Sequence, residues 1–145
     1  MIQDFVKAWD ANKDKLRAYF MADDPEDCRS YMGLVKVLFE VVVNPYLKDN
    51  KKGVYDTERI HEINDGDYQG SLLYVIPEQT YQPSCYNYVL TYAEYGSCGL
   101  CDELEGIWDN NYMSGNREET AESLTTLCLH LLQHCKIPYS YEDND

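Results

Sequence analysis

Apolar residues change their spacing twice along this chain, and that change limits the folds open to it more than any other feature. Over residues 2–20, Ile2, Phe5, Val6, Trp9, Leu16, Tyr19 and Phe20 recur at helical spacing with Lys and Asp between them. This is the pattern of an amphipathic helix whose aromatics are core candidates. Between residues 58 and 95 the period shortens to two. ERIHEIN and SLLYVIPE read as strands joined by DGDYQG, a turn-rich link suited to a hairpin loop of more than two residues. A third run, CYNYVLTYAEY, sets Tyr86, Tyr88, Leu90 and Tyr92 on one face and Cys85, Val89 and Ala93 on the other. Helical spacing then returns. A turn at Gly96 and Ser97 leads to a short helix carrying Leu100, Leu104, Ile107 and Trp108, and after a polar loop a last helix over about 117–136 puts Leu124, Leu127, Cys128, Leu131 and Cys135 on one stripe.

A second helix fits between the first and the strands. Asp23-Asp24-Pro25-Glu26 has the chemistry of a helix start, with an Asp cap, proline in the first turn and acids that suit the dipole. Leu34, Val35, Leu38, Phe39 and Val42 continue it toward Asn44-Pro45, where proline is expected to stop it. KDNKKG, residues 48–53, reads as an exposed loop. The order is ααβββαα: an α+β fold in which an antiparallel three-stranded meander packs with about four helices. A length of 145 residues suits one domain over 1–145, with a frayed tail from about 139. No run of 18 apolar residues exists, and Met1 leads into IQDFVKAW without the marks of an export signal.

Charge divides the chain. Residues 1–52 hold nine basic and nine acidic side chains, whereas residues 53–145 hold three basic ones, Arg59, Arg117 and Lys136, against seventeen acidic. The net charge of −14 therefore lies entirely after Lys52, in the segment that also carries eleven of the fourteen tyrosines. Such a field repels nucleic acid and anionic membrane and attracts basic surfaces. The simpler alternative is a solvated acidic face that keeps the protein dispersed.

YGSCGLCDELEGIWDN places Cys98 and Cys101 three apart at an expected helix start, where amide groups favour a thiolate. The acids Asp102, Glu103 and Glu105 follow at once and oppose it by repulsion, and a hairpin rather than a βαβ unit precedes the pair. A zinc ion is the other alternative. It would take Cys98 and Cys101 with two ligands from the last helix, where His130 and His134 lie four apart between Cys128 and Cys135. The spacing is not that of a compact finger. Cys28, Cys85 and Cys128 read as small buried hydrophobes, and the six thiols are expected to be free in a reducing compartment. His61 is expected on a strand surface. There is no nucleophile elbow, phosphate-cradling glycine loop, HExxH or calcium loop, so no catalytic residue is assigned and no cofactor is expected.

HEINDGDYQGSLLYVI, followed by YGSCGLCDELEGI, resembles a loose set of small acidic proteins of tailed bacteriophages and prophages. The likeness spans about residues 58–108, and its more specific phrase is the tyrosine-glycine-serine-cysteine run ending in cysteine-aspartate. It implies a phage accessory protein in the cytoplasm of a bacterial host, where proteins of this sort bind and redirect host machinery. The sequence expectation is then an acidic protein that meets a basic surface of a host protein, acting by nucleic-acid mimicry on a defence or replication factor. Its contact residues would be Asp65, Asp67, Tyr68, Tyr86, Tyr88, Tyr92, Asp102, Glu103 and Glu105: carboxylates stand in for phosphates, and tyrosines supply contact area at low entropic cost. The competing expectation is a zinc-stabilised or thiol-redox CxxC protein.

Overall fold

The structure is a computed structural model, described here for residues 2–22, 26–67, 69–80, 87–96, 102–108 and 117–137. It is α+β, with a three-stranded antiparallel sheet in the order β1-β2-β3 and helices before and after it in the order ααβββαα.

Helix α1 (Gln3–Met21) follows the expected periodicity: Phe5, Ala8, Leu16 and Phe20 are buried, while Val6 and Tyr19 face outward. The second helical rod is more unusual. Helix α2 (Tyr31–Leu38) widens into a π turn (Phe39–Val43) and continues as α3 (Asn44–Asp49). Two expectations are corrected here. The α-helix starts at Tyr31, where the Ser30 side chain accepts from the Gly33 amide at 3.0 Å, and Glu26–Arg29 form a separate 3-10 turn. Asp23 to Pro25 lie outside the described residues. Nor does Pro45 end the rod. The wide turn lets the Asn44 amide reach back to the Phe39 carbonyl, so Pro45 enters in the first turn of α3, where its missing N–H costs least. Asn12 of α1, itself buried, donates to the Val42 carbonyl inside the π turn at 2.9 Å.

The rod ends on Asn50, and Lys51 adopts a left-handed φ of 59° while the Lys52 amide bonds back to the Leu47 carbonyl at 2.8 Å. The loop expected over 48–53 is thus shortened by its first two residues, which belong to α3.

Strands β1 (His61–Gly66) and β2 (Gly70–Pro77) form the expected hairpin, and β3 (Tyr88–Tyr95) completes the meander. Gly66 pairs with Gly70 at the hairpin end. Their backbones approach so closely that a Cβ on Gly66 would run into the Gln69 carbonyl and one on Gly70 into that of Asp65. Register assigns the faces. Leu72, Tyr74 and Ile76 of β2 and Val89, Thr91 and Ala93 of β3 point toward the helices, while Tyr88, Leu90, Tyr92 and Glu94 lie on the other side, as alternation required.

Helix α5 (Arg117–Gln133) covers the inward face, burying Leu124, Leu127, Cys128, Leu131 and Leu132, with Cys135 just beyond its end. The Thr91 hydroxyl donates to the Leu131 carbonyl at 2.6 Å, and Leu90 and Lys136 exchange two backbone bonds of 2.8 Å. The outer edge of β3 is therefore covered at that point. Strand β1, by contrast, is exposed at all six positions. Short helix α4 (Glu103–Ile107) packs on α5 and seats Trp108, whose indole donates to the Cys28 carbonyl at 3.1 Å. Cys28, Cys128 and Cys135 are buried, and burial pushes the Cys128 thiol up well above its ordinary range. Cys85 lies outside the described residues. Among the described residues no helix is long and apolar enough to cross a membrane.

Candidate functional site

The hairpin end, the end of β3 and the start of α4 meet at one end of the sheet. The hairpin end carries Asp65 and Asp67, both exposed. Asp65 pairs with Ser71, and Ser71 pairs on its other side with Glu94, which places Asp65 and Glu94 on the same outward face. Beyond Glu94, Tyr95 lies opposite Gly70 and the chain leaves the sheet at Gly96. The Gly96 amide then donates to the Asp102 carboxylate at 3.2 Å, tying the start of α4 to the end of β3. The two acidic clusters singled out in the sequence are thereby brought to the same end of the molecule.

Asp102 plays a different part from its neighbours, and the expectation of an exposed charge there is corrected. It is 9% exposed and caps α4: its carboxylate accepts from the Tyr31 hydroxyl at 2.7 Å, the Glu105 amide at 3.2 Å and the Gly96 amide. An aspartate at a helix start satisfies amides that have no intrahelical partner, and burial makes that satisfaction necessary. Tyr31 in turn accepts from the Leu104 amide at 3.2 Å. Burial, followed by the hydrogen bond to Asp102, pushes the Tyr31 hydroxyl well above its ordinary range, so it stays protonated and keeps donating. Glu103 and Glu105 are exposed.

Two clefts flank this end and share Tyr31. One, of about 400 Å³, runs between β3 and α5 and is lined by Tyr92, Glu94, Glu103, His130 and His134. His130 Nδ1 lies 3.5 Å from Glu103 Oε1. His134 stacks on the Tyr92 ring at 4.1 Å, tilted by 5°, with its Nδ1 3.1 Å from the Tyr92 carbonyl. Tyr92 remains 41% exposed, and Tyr88 is half-buried further along the same face. The second cleft, of about 470 Å³, opens on the other side of α4 toward Glu62, Leu72, Tyr74 and Tyr95.

Of the residues expected at a partner surface, Asp65, Asp67, Tyr92, Glu103 and Glu105 are exposed here, Tyr88 is half-buried and Asp102 serves the fold. Tyr68 and Tyr86 lie outside the described residues. So do Cys98 and Cys101, on which the zinc and redox alternatives depend; among the described residues no group of three or more His, Cys, Asp or Glu is placed to hold a metal ion. Glu62 and Glu94 belong to this end but were missed in the sequence. Glu94 carried a signal, since alternation sets it with Tyr92. Glu62 carried one only in register: it pairs with Tyr74, so it lies on the inward-facing side at the uncovered edge. Comparison with protein-family models, with curated proteins and with solved structures finds no match to this chain.

Proposed function

We propose that this chain is a protein-binding module of phage type which presents the acidic end of its sheet to a basic surface of a bacterial host protein in the host cytoplasm. One observation carries the reading: Asp65 and Asp67, Glu94, and Glu103 and Glu105, from three separate segments, converge beside two clefts lined by tyrosines. Carboxylates gathered there add their fields and steer a basic partner from beyond contact distance, and the tyrosines supply apolar area once it arrives. Asp102 joins the start of α4 to the end of β3 through its bonds to the Gly96 and Glu105 amides. Carboxylates gathered at one end suit a surface made for phosphates, so the partner's own nucleic-acid-binding face is the surface that suits it best, and occupying that face inhibits it.

The test is capture from bacterial lysate by the wild-type protein and by the variant D65N/D67N/E94Q/E103Q/E105Q. Wild type should retain a basic protein that salt or added DNA releases, and the variant should retain much less of it. A partner held equally by both proteins, and released by neither salt nor DNA, would contradict the proposal.

A further inference from the structure

The 470 Å³ cleft has a chemistry of its own. Tyr74 is fully buried and Leu104 nearly so, while Leu72 and Tyr95 are half-buried, and the carboxylates of Glu62 and Glu105 stand exposed beside them. The rings are held by their hydroxyls: Tyr74 donates to Glu62 Oε1 at 2.8 Å and Tyr95 to Asn64 at 2.7 Å. Burial and the bond to Glu62 push the Tyr74 hydroxyl well above its ordinary range, so this donor persists across ordinary pH. Asp102, on the same cleft, has its charge taken up by three internal donors. Glu62 and Glu105 do not: among the described residues no Lys, Arg or His lies within 4 Å of either carboxylate. A guanidinium already sits at the far wall, where Arg29 lies over the Trp108 ring at 4.7 Å. That contact sets a guanidinium against an aromatic ring of this cleft and leaves Tyr95 as its partly open ring.

We infer that this cleft is a receptor for the side chain of an arginine carried by the basic partner. An anion is repelled by the two glutamates, and an apolar side chain would strip water from them without giving anything back. A guanidinium satisfies both demands, lying against the half-buried Tyr95 ring while donating in its own plane to carboxylate oxygens. Glu62 is prepared for it, since the Tyr74 hydroxyl donates to Oε1 and steadies a carboxylate whose second oxygen can also accept. An ammonium shares the charge but lacks the plane and is more strongly hydrated, so lysine is the poorer guest. This inference rests on the reading that the acidic end meets a basic protein, and it names the side chain that anchors there.

The experiment titrates the intact protein with N-acetyl-arginine amide, and separately with N-acetyl-lysine amide, following backbone amides by NMR. Arginine amide should give saturable shifts at Leu72, Tyr95 and Leu104, and lysine amide should bind at least about threefold more weakly. E62Q and E105Q should each weaken arginine amide severalfold, while D10N on α1 leaves it unchanged. Glu105 is exposed, so E105Q decides the matter even if E62Q disturbs the hairpin. Shifts that do not saturate at those three residues, equal binding of the two amides, or indifference to E105Q would overturn the inference. Loss of lysate capture with amide binding intact would instead count against the docking reading and leave the cleft assignment standing.

Discussion

The helical layer and the hairpin end of the sheet answer to opposite demands. Phe39 in the π turn is fully buried and makes edge-on contacts with Phe5 at 5.8 Å and Tyr55 at 5.5 Å, drawing α1, the second helical rod and the strand-leading segment into one core. Ile63 in β1 is 45% exposed, in a strand exposed throughout. The polar groups divide in the same way. Asn12, Thr91 and Asp102 are buried and each is spent on a backbone or side-chain partner, whereas Asp65, Asp67, Glu103 and Glu105 project into solvent. Stability is thus concentrated in the helices with β2 and β3, and the exposed carboxylates of the acidic end add little to it.

The widest contrast should appear on truncation. Phe39→Ala should cost about 3–5 kcal/mol in urea unfolding, because it opens a cavity that three elements line. Ile63→Ala should cost only about 0.5 kcal/mol, as exposed positions generally do. A large loss at Ile63 would mean that the outward face of the sheet is covered in solution and would break the comparison.

A sharper division runs inside one short acidic run. Asp102→Ala should destabilise by about 2 kcal/mol, since it uncaps α4 and leaves the buried Tyr31 hydroxyl without its acceptor. Glu103→Gln, one residue on, should change stability by no more than about 0.5 kcal/mol. Equal effects would show that the cap is not what holds this end.

The tyrosines make a third contrast, visible in alkali. Tyr55 is pushed up to about 12, first by burial and then by Glu78, and Tyr31 and Tyr74 are raised further in the same direction. A group whose folded value is raised binds its proton more tightly when folded. Its contribution is complete below the unfolded value near 10 and is lost as pH climbs toward the folded one. The urea midpoint should therefore begin to fall from about pH 9, where unfolding lets the buried Cys128 thiol ionise, and fall faster beyond about pH 10, and Tyr55→Phe should make that faster part shallower. The smallest expected effect is a gain. Lys51 holds a left-handed backbone that glycine adopts without strain, so Lys51→Gly should stabilise by about 0.5 kcal/mol.

How much of this was legible depended on whether the controlling interaction was local. The switch from helical to alternating spacing is a property of neighbouring residues, so the element order, the hairpin and the buried stripe of α5 could be read directly. Pro45 misled because a proline reports only its own missing donor. The π turn that accommodates it is sustained by Asn12, 30 residues away from the carbonyl it serves. Asp102 misled for the same reason: it resembles Glu103 and Glu105 in charge, and only the arrival of Tyr31, 71 residues distant, turns it into a buried cap. Charge asymmetry was plain in the sequence, but the meeting of its two clusters with Glu94 at one end follows from strand register.

The account turns on that meeting, and association kinetics test it most directly. With the captured partner immobilised, on-rates would be measured against ionic strength for wild type, D65N/D67N, E103Q/E105Q and, on the exposed face of α1, D10N/D14N, with urea stability followed in parallel. Both variants of the acidic end should associate more slowly and lose part of the salt dependence while unfolding at the wild-type midpoint, and D10N/D14N should match wild type. On-rates that fall equally for all three pairs, or that ignore salt and both acidic pairs, would contradict the claim that this end is where the protein binds.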